Sequence, residues 1–304
     1  MPFVTLASSP LAPGVSPVRI HYRVGRLRSM EREALAERPP IVFLHSGWGY
    51  EIYPFDRQLA VFAPGRRVVM PDRSGYGRST AIDALPSDFH HRAADETRAV
   101  IEALGLERPV LWGHSDGAII ALLLALATPG QVQAVVAEAT HFYRRKPRSQ
   151  AFFESMIGER RALGDSVTAV LVRDHGAGWP QVLERHSRAW QSIAREAASD
   201  EDDFYGGRLS EIAVPVLIIH GARDPRTEPG EVDALREALV GADPRVGPGR
   251  THGSAPTTVV VLPAGGHSPH SEPATADDVS RLARTFIDAL DPSDLPDPLD
   301  SLDL

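Results

Sequence analysis

The sequence predicts an α/β protein: a mostly parallel central sheet flanked by helices on both faces. Three observations carry this. Short β-branched apolar runs alternate with segments of helical periodicity along most of the chain. The run Ala118–Ala127 is apolar all round, the mark of a helix buried at the centre of a domain. The length, 304 residues, suits one large α/β domain with an insertion.

Taken in order, Phe3–Leu6 and Val18–Val24 read as edge strands, and Ile41-Val42-Phe43-Leu44 is the first buried strand. Arg26–Pro40, charged and proline-ended, reads as a surface loop. Arg67-Val68-Val69-Met70 is the next strand. A helix over about Phe89–Leu104 follows from Ala93, Thr97, Val100, Ile101 and Leu104. Val110-Leu111-Trp112 is a strand leading into the buried helix, which stops at Thr128-Pro129-Gly130. Ala134–Ala137, Val216–Ile219 and Val259–Leu262 complete the sheet. A helix is expected around Glu231–Leu239, and the last runs over about Asp277–Leu290, with Thr275 and Asp278 resembling a capping box. Residues 140–209 read as helices without strands, a cap inserted into a core of residues 1–139 and 210–290. Its aromatics Phe142, Phe152, Phe153, Trp179 and Trp190 suit a cap that packs on that core. Gly241–Pro256 reads as a mobile loop and Asp291–Leu304 as a disordered acidic tail. There is no internal repeat.

Composition removes several classes of chemistry. Hydrophobic residues are 42% and charged residues 24%, the balance of a soluble globular protein. A net charge of −8 argues against a nucleic-acid partner. Without cysteine there is no disulfide, thiol nucleophile, iron–sulfur cluster or cysteine zinc site. Lys146 is the only lysine, in the solvated-looking run Arg144-Arg145-Lys146-Pro147-Arg148, and no lysine follows a Gly-rich loop, which excludes a P-loop. Met1–Pro13 lacks the pattern of a signal peptide, and no apolar run reaches the ~20 residues of a membrane span. The expectation is a cytoplasmic protein with a small-molecule substrate, no membrane partner, no cofactor and no metal.

The strongest motif is Gly113-His114-Ser115-Asp116-Gly117, a G-x-S-x-G set between a strand and the buried helix. So tight a turn excludes Cβ atoms beside the serine and lifts its hydroxyl out at the sheet edge, in front of a helix N-terminus. A hydroxyl needs a base to take its proton. His267, in Leu262-Pro263-Ala264-Gly265-Gly266-His267-Ser268, lies between the last strand and the last helix. His90-His91 and His252 read as solvated, and His267-x-x-His270 lacks the helix that a metal pair would need. The base needs a carboxylate, and Asp224 in His220-Gly221-Ala222-Arg223-Asp224 follows a strand end on the same rim, with Glu138 as the reserve acid. Backbone N–H donors for an oxyanion are expected from Asp116 and from His45-Ser46-Gly47-Trp48-Gly49, Gly47 first and Trp48 second. His45, His114, Glu138, Phe152 and Trp190 are the candidate pocket residues.

These motifs, with Pro71-Asp72-Arg73-Ser74-Gly75-Tyr76-Gly77-Arg78-Ser79, together resemble the α/β-hydrolase superfamily, in its order from about residue 41 to residue 290. The resemblance implies the α/β-hydrolase fold with a helical cap, Ser115 as nucleophile, Asp224 as acid and His267 as base. It implies a serine hydrolase acting on a small to medium apolar carboxylic ester, lactone or thioester. Carbon–carbon bond hydrolysis and cofactor-free perhydrolysis use the same triad, and a ligand-binding receptor on this scaffold is the alternative of another class. Epoxide hydrolases and haloalkane dehalogenases of this fold carry aspartate where Ser115 stands. Two departures are His45-Ser46 in place of His-Gly, and a carboxylate, Asp116, directly after the serine; Asp116 is expected to face the positive helix end. Substrate and oligomeric state are not legible.

Overall fold

A computed structural model describes residues 2–25, 38–158, 163–240 and 256–290. Eight strands form one sheet in the order β1-β2-β4-β3-β5-β6-β7-β8. They are β1 (Phe3–Leu6), β2 (Val18–Val24), β3 (Ile41–Leu44), β4 (Val68–Pro71), β5 (Val110–His114), β6 (Ala134–Glu138), β7 (Val216–Gly221) and β8 (Thr257–Leu262). The pairs β1–β2 and β2–β4 are antiparallel and all others parallel.

Strand alternation sorts the core. Phe43 and Trp112 face one side, where Phe55, Phe62, Val279 and Ile287 bring in the helices α1 (Asp56–Phe62) and α8 (Ala276–Asp288). Val42, Leu44 and Leu111 face the other, against α2 (Phe89–Ala103), α3 (Asp116–Ala127) and α7 (Glu231–Val240). Ten of the twelve residues of α3 are buried, because the helix is enclosed by the sheet and α2. Between β6 and β7 lie α4 (Pro147–Ser155), α5 (Asp165–His175) and α6 (Trp179–Glu196). Along α6 the buried side is Val182, Leu183, His186, Ala189, Trp190 and Ile193, an apolar stripe at helical spacing that carries one histidine.

The chain runs from β3 to β4 on one side, then returns to β5 and continues to the other. The loops after β3 and β5 therefore flank a crevice at the carboxyl edge, the topological switch point where such sheets bind ligands. The expected strands all occur. Helix α1 was not expected, since seven residues are too few for a periodic signal. Thr275 stands at the N-cap of α8, but its hydroxyl donates to the Pro269 carbonyl at 2.8 Å, so it makes no capping box. Most of the expected loops at 26–40 and 241–256, and the whole tail 291–304, fall outside the described residues. No described helix is long and apolar enough to cross a membrane.

Candidate active site

Ser115 joins β5 to α3 with φ 55° and ψ −117°. A side-chain-bearing residue held there costs roughly 1–3 kcal/mol, and the surrounding packing must enforce it. A Cβ on Gly113 would lie 2.0 Å from the Gly117 carbonyl oxygen, and one on Gly117 would lie 2.1 Å from that of Leu44. Both glycines are thus steric requirements of the turn. The Ser115 amide donates to the Glu138 carbonyl at 2.9 Å, tying the elbow to β6.

Asp224 after β7 and His267 after β8 meet: Nδ1 of His267 donates to Oδ2 of Asp224 at 2.9 Å. The Arg226 amide donates to Oδ1 at 2.8 Å. Burial by itself raises the Asp224 pKa, but the attraction of His267 and its hydrogen bond hold the carboxylate well below its usual range. His267 is lowered by burial and then by the Arg226 guanidinium. With its proton committed to Asp224, the neutral ring keeps its lone pair on Nε2, which is buried and unbonded among the described residues.

The side-chain partner of the Ser115 hydroxyl is one that sequence reasoning missed. Oγ lies 3.5 Å from Nε2 of His141, just beyond β6. The rings of His141 and His267 stack nearly parallel, 5.8 Å apart and inclined by 14°. Lys146 donates to His141 Nδ1 at 2.6 Å and to both Glu231 oxygens at 2.7 Å. It is 0% exposed, which corrects the expectation of a solvated lysine. Burial lowers its pKa, while the charge of Glu231 acts in the opposite direction. The one visible signal was that this chain spends its single lysine five residues after His141.

These contacts separate the two imidazoles by tautomer. An ammonium only donates, so Nδ1 of His141 accepts and the ring proton sits on Nε2. Burial, then the charge of Lys146, keep His141 well below the ordinary histidine range and hence neutral. His141 is bonded to Ser115 but has no lone pair to take its proton. His267 has one.

The loop after β3 is fixed through its carbonyls. The Arg73 guanidinium donates to the His45 carbonyl at 2.6 Å and to that of Ser46 at 2.9 Å, and His45 Nδ1 donates to the latter at 2.7 Å. In a trans peptide the next N–H points the opposite way, so the Gly47 amide is directed away from Arg73. A Cβ on Gly47 would meet His186 at 2.0 Å and Asp116 at 2.7 Å, which is why this position is glycine. Trp48 is held at its carbonyl by Nε2 of His175, 2.9 Å away.

Asp116 differs from expectation. Its carboxylate accepts from His90 Nε2 at 3.0 Å, His186 Nε2 at 2.7 Å and Trp190 Nε1 at 3.2 Å. Burial would raise its pKa, but the two histidines bring it well below the usual range. It therefore couples α2 and α6 to the elbow rather than facing the helix end. His90 is accordingly buried, not solvated. Trp190, expected to line a pocket, is 3% exposed and packs on Phe153 and Phe204 while bonding Asp116. His45 has both ring nitrogens engaged, Nε2 accepting from the Arg73 amide at 3.1 Å, so it shapes the loop. His114 is fully buried and donates to the His267 carbonyl at 2.8 Å, supporting that residue from behind. Glu138, the reserve acid, is also fully buried and bonds His270 Nδ1 at 2.6 Å instead of His267. Phe152 is half-buried and stacks on Trp48, 5.5 Å between centroids, with the Arg226 guanidinium 4.3 Å from its centroid.

Among the described residues, one group has the makeup of a metal site: His114, Glu138 and His270, with one ligand atom of each within 4.8 Å of the others. Both nitrogens of His270 are already bonded, to Glu138 and to the Tyr53 carbonyl at 3.1 Å. Within the group Glu138 and His270 are joined by a hydrogen bond, while His114 bonds instead to the His267 carbonyl.

Known proteins place this arrangement in context. The chain is 28% identical over 251 residues to the "Bifunctional esterase/perhydrolase DCH" of Acinetobacter calcoaceticus, covering 72% of this chain and 87% of that one. It is 31% identical over 138 residues to "Epoxide hydrolase 2" of Siraitia grosvenorii, and there it spans only 42% of the relative. Its fold matches that of a thermophilic esterase from Thermogutta terrifontis with a TM-score of 0.65 at 17% identity, covering 96% of this chain and all of that one. The sequence profile of the "Alpha/beta hydrolase family" matches residues 41–279, and the chain belongs to that family.

Proposed function

We propose that the protein is a serine hydrolase that cleaves small to medium apolar carboxylic esters, lactones or thioesters through an acyl-enzyme. The observation that carries this reading is a strained Ser115 at the same carboxyl edge of the sheet as His267, whose proton is committed to Asp224 and whose lone pair is free. In the first step Ser115 Oγ attacks the ester carbonyl carbon and its proton passes to Nε2 of His267. Asp224 stabilises the imidazolium so formed. The carbonyl oxygen, now negative, accepts from the backbone amides of Asp116 and Gly47, Trp48 being the second candidate in that loop. The tetrahedral intermediate collapses, the leaving oxygen takes the proton back from His267, and water repeats the sequence on the acyl-enzyme.

Residues 140–209 act in this reading as a cap. The bonds from His186 and Trp190 to Asp116, and the Phe152–Trp48 stack, support that role. An attacking carboxylate of the epoxide hydrolase kind is disfavoured: position 115 is serine, and three hydrogen bonds occupy Asp116. Because one relative is named an esterase/perhydrolase, hydrogen peroxide belongs beside water among the acyl acceptors to be tried.

The test is labelling with a fluorophosphonate, followed by peptide mapping and a panel of aryl esters graded in acyl length. One adduct on Ser115, lost together with ester turnover in Ser115→Ala, is expected. An adduct on another residue, or full turnover by Ser115→Ala, would overturn the reading.

A further inference from the structure

The chain Glu231–Lys146–His141 ends on the Ser115 hydroxyl and has no part in the reaction as written above. Every member is buried. Glu231, at the start of α7, accepts from the Phe142 amide at 2.9 Å and the Glu228 amide at 2.9 Å as well as from Lys146. The His141 carbonyl accepts from the Tyr205 hydroxyl at 2.9 Å, and Trp190 meets the ring edge-on at 5.2 Å. Such a network fixes both the position of the imidazole and the nitrogen that carries its proton. Burying an ion pair of this kind costs desolvation free energy that an apolar pair would avoid.

The topology says on which side of Ser115 this donor stands. Gly47 follows β3 and His141 follows β6, and these strands flank β5 on opposite sides. A carbonyl oxygen lodged at the Gly47 and Asp116 amides lies on the β3 side. The leaving oxygen lies toward His267, which must protonate it, and the His141 ring is stacked beside that of His267. We infer that His141 is a further catalytic residue: fixed as the Nε2–H tautomer by Lys146 and Glu231, it donates a hydrogen bond to the leaving oxygen of the ester. This rests on the acyl-enzyme reading. As the C–O bond breaks, negative charge grows on the leaving oxygen. His141 shares that charge through its hydrogen bond, and the proton that completes the alcohol comes from His267. In the second half-reaction the attacking water or peroxide occupies the same place, and His141 holds it. The substrate class that gains is the esters of poor leaving groups, simple alkyl alcohols above all, since activated phenolates need no such help.

The experiment has two arms. Nitrogen-15 NMR of the histidine-labelled parent enzyme reads the tautomer of His141, assigned by its loss in His141→Phe. A protonated Nε2 and bare Nδ1 are expected; a protonated Nδ1 would overturn the inference. The kinetic arm compares an alkyl ester with the 4-nitrophenyl ester of the same acid in the parent, His141→Phe and His141→Gln. The Phe variant is expected to lose about 10²-fold in kcat/KM on the alkyl ester and under about threefold on the nitrophenyl ester. Gln, which retains an N–H donor, recovers part of the loss on the alkyl ester. Equal losses on both esters would mean a merely structural role and would sink the inference while leaving the acyl-enzyme reading intact. A parent that turns over neither ester sinks both.

Discussion

Replacing Asp116 with asparagine tests whether this carboxylate fastens the insertion to the elbow. Three N–H donors converge on it, from α2 and α6. Bonds to a charged acceptor contribute about 1.5–3 kcal/mol each and neutral ones about 0.5–1.5, so each is weakened by about 1 kcal/mol. An asparagine also offers one donor where an acceptor stood. His186 can adapt, because its Nδ1 has no partner among the described residues and can take the ring proton. The net cost of Asp116→Asn is therefore about 3 kcal/mol, which for a chain of 304 residues lowers Tm by about 5 °C. The pH dependence follows from the depressed folded-state pKa of Asp116. Its contribution is complete above the unfolded carboxylate value of about 3.9 and is lost as pH falls from there through the folded value. Urea denaturation of the two proteins should thus show a constant deficit from pH 6 to 8, narrowing by about 0.7 kcal/mol at pH 3.5. A variant melting within a degree of the parent, or a deficit that grows in acid, would refute the assignment.

Other outcomes are expected. Asp224→Asn should keep the fold and lower turnover of an aryl ester by roughly 10³–10⁴, because the amide favours the wrong tautomer of His267; a loss of only a few-fold in steady-state assays would exclude Asp224 as its partner. Burial and Arg226 lower the His267 pKa, so the acid limb of kcat/KM should lie below pH 6.5, and Arg226→Met should move it upward. An unmoved limb in pH-rate profiles counts against that electrostatic link. Phe152→Ala should change acyl-length preference, read from kcat/KM across a graded ester series, whereas Trp190→Phe should mainly lower Tm. Gly117→Ala should fail to give soluble folded protein, since its Cβ meets the Leu44 backbone; normal expression with a native circular dichroism spectrum would contradict this.

The parts of this fold that sequence made legible are those with a local cause. β-branched runs specify buried strands wherever they pack, and the glycines around Ser115 are demanded by atoms within a few residues or on the adjoining strand. Asp224 and His267 were legible because strand ends in such a sheet share one rim. His141 was not, since a histidine following Ala139 and Thr140 has no pattern of its own, and the Glu231 that holds its partner Lys146 lies 85 residues beyond that lysine. Local composition even misled: four basic residues around a proline read as surface, yet Lys146 turns inward while Arg144 and Arg145 pair with Asp202 and Asp200. His90 failed for the same reason. Whether a polar side chain is buried depends on an acceptor that only the tertiary fold supplies.

The knot of His90, Asp116, His186 and Trp190 has a consequence for modularity. A helical insertion is commonly treated as an interchangeable part, replaced to obtain a new specificity. Here the residue next to Ser115 is one of its fasteners, so an exchange that removes α6 strands a buried carboxylate against the turn that bears that serine. Transplants into this scaffold therefore have to carry a histidine and a tryptophan four residues apart, or else replace Asp116 in the same step. Trp190 also offers an intrinsic optical reporter, since its indole N–H touches the carboxylate whose loss would announce separation of the two parts.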